Sequence, residues 1–336
     1  MHAPDIDHAA RLLAAGGLVA FPTETVYGLG ADASLPTAVA RVFAVKRRPV
    51  DHPLIIHLAD ADALSRWAAD VPAAAHTLAG ALWPGPLTLV LRKAEHVGMH
   101  VTGALSTVGL RVPAHPVALA LLRAHGGGIA APSANRFGSV SPTTAAHVRR
   151  DLGDDIDLVL DGGPCEVGIE STIVDLSRGD DDPVILRPGG ASRERIEALL
   201  GRAVPVREGG EVRSPGQLPS HYAPAARVIV TNPARLAATV AEQLRVNPEA
   251  KLGVIAAAEG VTPPRWTRGE HGVAVRIELD PHVELARHLY GCLRQLDDEH
   301  CTVIVATLPP PAELGLAIAD RMRRAAGPRD GDGRDA

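Results

Sequence analysis

The segment from 201 to 226 limits the fold more than any other part of this 336-residue chain. On either side of it, short apolar stretches of strand length alternate with amphipathic stretches of helix length. Inside it the alternation stops, and "EGGEVRSPGQLPSHYAPAA" is rich in Gly, Pro and Ser. Such a composition marks a linker, so the chain divides into two α/β blocks. The expected division is 1–200 for a first domain, 201–226 for the linker, 227–326 for a small second domain and 327–336 for a disordered tail, "GPRDGDGRDA". Length alone gives the same two-domain expectation.

In the first block, "IDHAARLLAA" has helical amphipathicity and "GLVAFPT" is a buried strand. "LPTAVARVFAVKRRP" is a helix expected to close at Pro49, because the residue before a proline avoids the helical region. "AAHTLAGALWP" is another helix, and "PLIIHLA", "LTLVLRK", "VGLRVP", "GGIAAPSAN", "DLVLDGG", "STIVDLS" and "PVILRPG" are strands. They predict one large sheet of mixed direction. In the second block, "ARVIVTN", "KLGVIAAA" and "CTVIVATLP" alternate with helical segments, which predicts a smaller parallel sheet. Aromatic residues make up only 3% of the chain, so Ala, Val and Leu must fill both cores.

The formal net charge of −5 argues against a stable grip on a nucleic-acid backbone, which asks for a basic face. No apolar run is long enough to span a bilayer. The first residues, "MHAPDIDHAARLLAAGG", lack a cationic segment followed by an apolar one, so no signal peptide is expected and the expected compartment is the cytoplasm. Cys165, Cys292 and Cys301 include no C-x-x-C pair, which argues against structural zinc and a disulfide framework. The chain has no G-x-x-x-x-G-K-[ST] or G-x-G-x-x-G phosphate loop, no G-x-S-x-G elbow and no H-E-x-x-H.

Polar residues gather instead at strand ends of the first block. Lys46, Arg47 and Arg48 close a helix, where cations suit the dipole, or Lys46 and Arg48 grip a polyanion. His57 lies within an apolar strand. Arg111 does too, and a buried arginine needs either a protein carboxylate or a substrate carboxylate. Ser133 and Asn135 follow a strand. Ser141-Pro142 has the form of a helix start, with Ser141 as N-cap. Ser171 precedes a strand and Arg187 ends one.

"FPTETVYGLGADA", Lys46-x-Arg48 with "HPLIIHL", "WPGPLTLVL", "GLRVP", "PSANRFGSVSPT", "ESTIVDL" and "LRPG" stand in one order. In that order they resemble the YrdC-like domain of the threonylcarbamoyl-AMP synthases. "SPGQLPSHYAP" and "AIADRMRRAA" resemble the longer, two-domain members, whose second domain is Rossmann-like. The resemblance implies an α/β (α+β) fold and a nucleotidyltransferase that makes threonylcarbamoyl-AMP from L-threonine, bicarbonate and ATP for tRNA modification. It implies Mg2+ with the ATP, and a downstream tRNA threonylcarbamoyl transferase as partner. It assigns Lys46 and Arg48 to catalysis. It gives Thr25, His57, Arg111, Ala131 and Ser171 to threonine. It gives Arg48, His52, Thr107, Ser133, Asn135, Ser141, Arg187, His221 and Tyr222 to ATP, the last two from the linker as a lid. Gln217, Leu218 and Pro219 depart from the usual linker, while His221, Tyr222, Ala223 and Pro224 keep it. An RNA-binding or ribosome-maturation protein on the same domain, and an enzyme transferring an unsubstituted carbamoyl group, are the alternatives. The second usually carries zinc-finger segments, which are missing here.

Overall fold

The computed structural model describes residues 5–180, 182–207, 222–268, 273–280 and 284–327. The chain divides into two compact units: Met1–Phe137 with Ser141–Gln217, and Gly138–Val140 with Leu218–Ala336. Nothing in the sequence signals that 138–140 groups with the second unit.

The first unit runs α1 (Ile6–Ala14), β1 (Val19–Phe21), β2 (Gly28–Asp32), α2 (Pro36–Lys46), β3 (Ile55–His57), α3 (Leu64–Trp67), α4 (Ala73–Leu82), β4 (Leu87–Arg92), α5 (Met99–Thr102), β5 (Thr107–Arg111), α6 (Pro116–His125), β6 (Ile129–Ala130), α7 (Ala145–Leu152), β7 (Leu158–Val159), β8 (Thr172–Asp175), β9 (Val184–Arg187) and α8 (Arg193–Leu200). Local chemistry sets many of the ends. The Asp5 carboxylate accepts from the His8 amide at 2.8 Å to open α1. Helix α2 ends at Lys46 rather than at Pro49, because Arg47 turns left-handed at φ 54 and caps it.

The expected helix start at Ser141 is corrected. Helix α7 begins at Ala145, and Thr144 caps it by accepting from the His147 amide at 3.2 Å. The carbonyls of Pro142 and Thr143 accept instead from the amides of Tyr27 and Cys165, both at 2.9 Å. Long-range pairing holds 142–143 outside the helix and leaves the Ser141 hydroxyl to other work.

These strands form one mixed sheet of nine, in the order β7-β1-β2-β6-β3-β5-β4-β8-β9. Side chains alternate between its faces. On one face Ile56, Leu89, Leu110 and Val174 enter the main core with Val39 and Val42 of α2, Leu78 of α4 and Ile196 of α8. The other face is closed at one end by α1 and α6, whose Leu13, Leu121 and Leu122 pack on Phe21, Ile129 and Ala131. Its remaining apolar residues, Ile55, Val90, Ile173 and Leu186, cluster with no helix residue among them. Gly109, in the middle of the sheet on this face, keeps partial exposure to solvent. The sheet therefore presents an open floor there.

The second unit runs β10 (Arg227–Thr231), α9 (Leu236–Val246), β11 (Leu252–Ala257), β12 (Arg265–Arg268), β13 (Val273–Leu279), α10 (Glu284–Asp298), β14 (Val303–Thr307) and α11 (Gly315–Ala325). Its sheet has the order β10-β14-β11-β13-β12. All its pairs are parallel except β12 with β13, an edge hairpin that the sequence reading did not assign. Leu236, Leu252, Val254 and Val305 share its core. Among the described residues, no helix is long and apolar enough to cross a membrane.

Candidate active site

The apolar strand β1 runs directly into a tight polar turn. The Thr23 hydroxyl accepts from the amides of Thr25 and Val26 at 3.2 Å each and lies 2.8 Å from the Thr25 hydroxyl. Strand β2 then returns with Gly28 and Gly30. A Cβ on Gly30 would stand 2.8 Å from Ile129 Cγ2 and 2.9 Å from Phe21 Cε1, so the glycine permits this close return.

The turn aims Glu24 at Arg111. Nη2 of Arg111 donates to Glu24 Oε1 at 2.7 Å and its Nε donates to the Gly85 carbonyl at 3.3 Å. The Ala114 amide donates to the other Glu24 oxygen at 2.9 Å. Both side chains are buried. The protein carboxylate that a buried arginine requires is therefore present, and Nη1 of Arg111 takes no part in the pair.

Register fixes what stands beside Arg111. His57 pairs with it across β3 and β5. The pairing of Leu89 with Leu110 puts Thr88 across from it on β4, and Thr88 pairs onward with Ile173, which pairs with Arg187. One rung of the open face thus carries His57, Arg111, Thr88 and Arg187, with strands about 4.8 Å apart. Burial, and then the Arg111 charge, push His57 down to about 3, so its imidazole is neutral at ordinary pH. Its ring meets Phe21 edge-on at 5.8 Å, and Nδ1 has no hydrogen-bond partner. Ala131 lies alongside, its amide donating to the Ile55 carbonyl at 2.9 Å.

At the other side of the rung, the Ser171 hydroxyl is 2.8 Å from that of Thr88. Arg187 donates to the Ser171 carbonyl through Nε and Nη2, at 3.2 and 2.9 Å. Next to it the Ser141 hydroxyl donates to Glu170 Oε1 at 2.6 Å. Thr107 begins the strand that Arg111 ends, about 13 Å away along an extended chain.

A second cluster forms around α2. Lys46 is buried, and its Nζ donates to the carbonyls of Ser133 and Asn135 at 2.6 and 2.5 Å, with Asn135 Oδ1 at 3.4 Å. Burial and the neighbouring Arg48 charge push its pKa well below the usual lysine value. In this geometry Lys46 clasps the 133–135 loop. Arg48 donates to the Pro53 carbonyl at 3.1 Å, and its guanidinium lies 5.7 Å from the Phe137 ring centroid. His52 meets the same ring at 5.5 Å. Burial and Arg48 lower the His52 pKa.

Of the linker pair, His221 lies outside the described residues, as do Gln217, Leu218 and Pro219. Tyr222 is described, and it packs within the second unit against Tyr290. Sequence reasoning did not assign Glu24, Thr88, Phe137 or Glu170. Glu24 stood in plain view within Thr-Glu-Thr, and the charge demand of Arg111 was the signal that could have found it.

The first family model that matches is described as telomere recombination and covers residues 11–189. A second, described as threonylcarbamoyl-AMP synthase, C-terminal domain, covers 191–327. The threonylcarbamoyl-AMP synthase of Pyrococcus abyssi is 42% identical over 330 residues, 96% of this chain and 94% of its own. That of Bacillus subtilis is 41% identical over 336 residues, 97% of this chain and 94% of its own. A crystal structure of P. abyssi Sua5 complexed with L-threonine aligns with a TM-score of 0.87 at 41% identity, over 96% of this chain and 94% of that one. With both models matched in order and relatives this similar over nearly its whole length, the chain belongs to the threonylcarbamoyl-AMP synthase family.

Proposed function

We propose that this protein condenses L-threonine and bicarbonate to a carbamate, and joins the carbamate to the AMP part of ATP. Water leaves in the first step. In the second, a carbamate oxygen attacks the α-phosphate in line and pyrophosphate leaves. The product, threonylcarbamoyl-AMP, then serves a tRNA threonylcarbamoyl transferase.

Arg111 is the observation that carries this reading. Glu24 presets its guanidinium, and Nη1 is left over at an open stretch of sheet. A planar fork half used by the protein suits an amino-acid carboxylate with its other half. Neutral His57 beside it adds no charge to repel the threonine amine. Thr25, Ala131 and the Ser171 hydroxyl complete the threonine side. Arg48, His52, Thr107, Ser133, Asn135, Ser141 and Arg187 take the nucleotide, and Lys46 acts by shaping the loop that carries Ser133 and Asn135. Such a reaction asks for alignment and charge neutralisation rather than a covalent nucleophile.

Magnesium arriving with ATP would supply further neutralisation of the phosphates. Among the described residues no group of three or more His, Cys, Asp or Glu is gathered that could cage a metal. Glu24 and Glu170 are engaged with Arg111 and Ser141. The residues therefore fit an ion held by phosphate oxygens and water.

Mass spectrometry of a reaction with isotopically labelled bicarbonate tests the proposal. The adenylate is expected to carry the label and the threonine together. An adenylate lacking either one overturns it.

A further inference from the structure

In the second unit, one face of the sheet is only partly roofed. A Cβ on Gly253 of β11 would stand 2.8 Å from Leu296 Cδ2, so α10 lies on the Gly253 face. Side chains alternate along a strand. Leu252 and Val254 therefore point the other way, where Leu236 of α9 joins them in one core. On that face a rung runs from Val305 through Val254 and Arg276 to Thr267, across β14, β11, β13 and β12. Its two valines are fully buried. Arg276 is half-buried and Thr267 is exposed. Helix α9 thus shelters the β14 and β11 side of the face and stops short of β13 and β12.

A cavity of about 790 Å³ opens where the roof stops. Ala237 and Ala241 of α9 stand on its helical wall, at the i, i+4 spacing that shares one helix face. Val254 and Val273 line its floor, and Arg268 and Arg276 its far side. The volume suits a small organic molecule. The charge at the far side is of one sign. Arg265 and Arg276 share Glu278, and Arg276 does so through Nε at 2.9 Å. Arg268 is exposed and forms no ion pair among the described residues. On α9 itself, Glu242 and Arg245 pair with each other at 2.8 Å, so the helical wall adds no net charge.

We propose that this hollow binds a small amphipathic carboxylate. The apolar body lies between Ala241 and Val254, and the carboxylate lies at Arg268 and the outer edge of Arg276. A guanidinium presents a planar fork of donors that matches a carboxylate. A neutral molecule with the same body leaves the surplus positive charge unanswered, and a cationic one adds to it. Only residues of the second unit take part, so binding requires nothing of the reaction assigned above.

Isothermal titration calorimetry on the full chain tests this with decanoate, decanol and decylammonium, which share one alkyl chain and differ in charge. Decanoate is expected to bind saturably at one site, and the other two at least about tenfold more weakly. Ala241→Trp fills the hollow from an exposed position of α9. It is expected to abolish decanoate binding while circular dichroism shows the fold unchanged. Arg268→Gln is expected to weaken decanoate about tenfold and to leave decanol as it was. If Ala241→Trp does not fold, Ala237→Trp, one turn earlier and also exposed, takes its place with the same expectation. No saturable binding of decanoate, equal affinity for all three probes, or decanoate binding undiminished in either the tryptophan or the glutamine variant overturns the proposal.

Discussion

At the scale of the residue, Arg111 and Glu24 set both stability and substrate affinity. Glu24→Gln leaves a buried guanidinium without its charge partner, and denaturant unfolding is expected to show a loss of about 3–5 kcal/mol. Arg111→Lys keeps a cation but not the planar fork, so KM for L-threonine should rise on the order of 10- to 100-fold with KM for ATP little changed. Equal losses for both substrates would place Arg111 outside the threonine site. Gly109→Val probes the open floor. Its Cβ would meet Ile55 Cγ1 and Thr88 Cγ2 at an ordinary 3.5 Å, so the strand accepts it, while the branches fill the space between Thr107 and Arg111. Turnover should vanish with the thermal midpoint shifted by only a few degrees. His57 supplies a pH signature. Its folded value of about 3 lies below its unfolded value of 6.5. Its contribution to stability is thus intact above 6.5 and is lost as the pH falls toward 3. Over that window it contributes a slope of about 1.4 kcal/mol per pH unit. His57→Asn should flatten the curve there, and an unchanged slope would place the acid sensitivity elsewhere.

At the scale of the element, backbone approach decides which substitutions the sheet tolerates. A Cβ on Gly189 would stand 2.3 Å from the Glu170 carbonyl oxygen and 2.4 Å from the Thr172 nitrogen. Gly189→Ala must push away the chain that leads Glu170 and Ser171 into β8. Both the unfolding midpoint and the affinity for substrate should fall. Gly80, inside α4, has nothing within 4 Å of its would-be Cβ, and Gly80→Ala should stabilise by about 0.5–1 kcal/mol. If Gly189→Ala behaves like Gly80→Ala, the close approach is not what positions Ser171. The same division between local and long-range forces explains how much the sequence disclosed. Helices α1 and α4 and strands β4 and β14 follow local periodicity, and they stand where the pattern placed them. Strands β2 and β12 do not announce themselves, since "GLGAD" offers few residues of strand preference and "RWTR" is only four residues long, and both gain their form from neighbours. At Ser141 a local capping pattern lost to pairing with Tyr27 and Cys165. The partner of Arg111 is 87 residues away in sequence, a distance that no periodicity spans.

At the scale of the whole molecule, the expected boundaries at 201 and 226 rested on composition alone, and the two units divide between Gln217 and Leu218. Composition could not foresee that Gly138–Val140 would join the second unit, because that depends on pairing with Ala223. The net charge of −5 gives the molecule no general attraction to a polyanion. Fluorescence anisotropy with labelled tRNA at physiological salt should show no saturable binding. Tight binding that weakens steeply with salt would instead favour an RNA-binding role. The most direct test of the account is pyrophosphate release from Mg-ATP and bicarbonate, measured with L-threonine, without it, and with L-serine in its place. The account predicts release that requires both bicarbonate and L-threonine and drops sharply with L-serine. Release indifferent to threonine, or none under any condition, would contradict it.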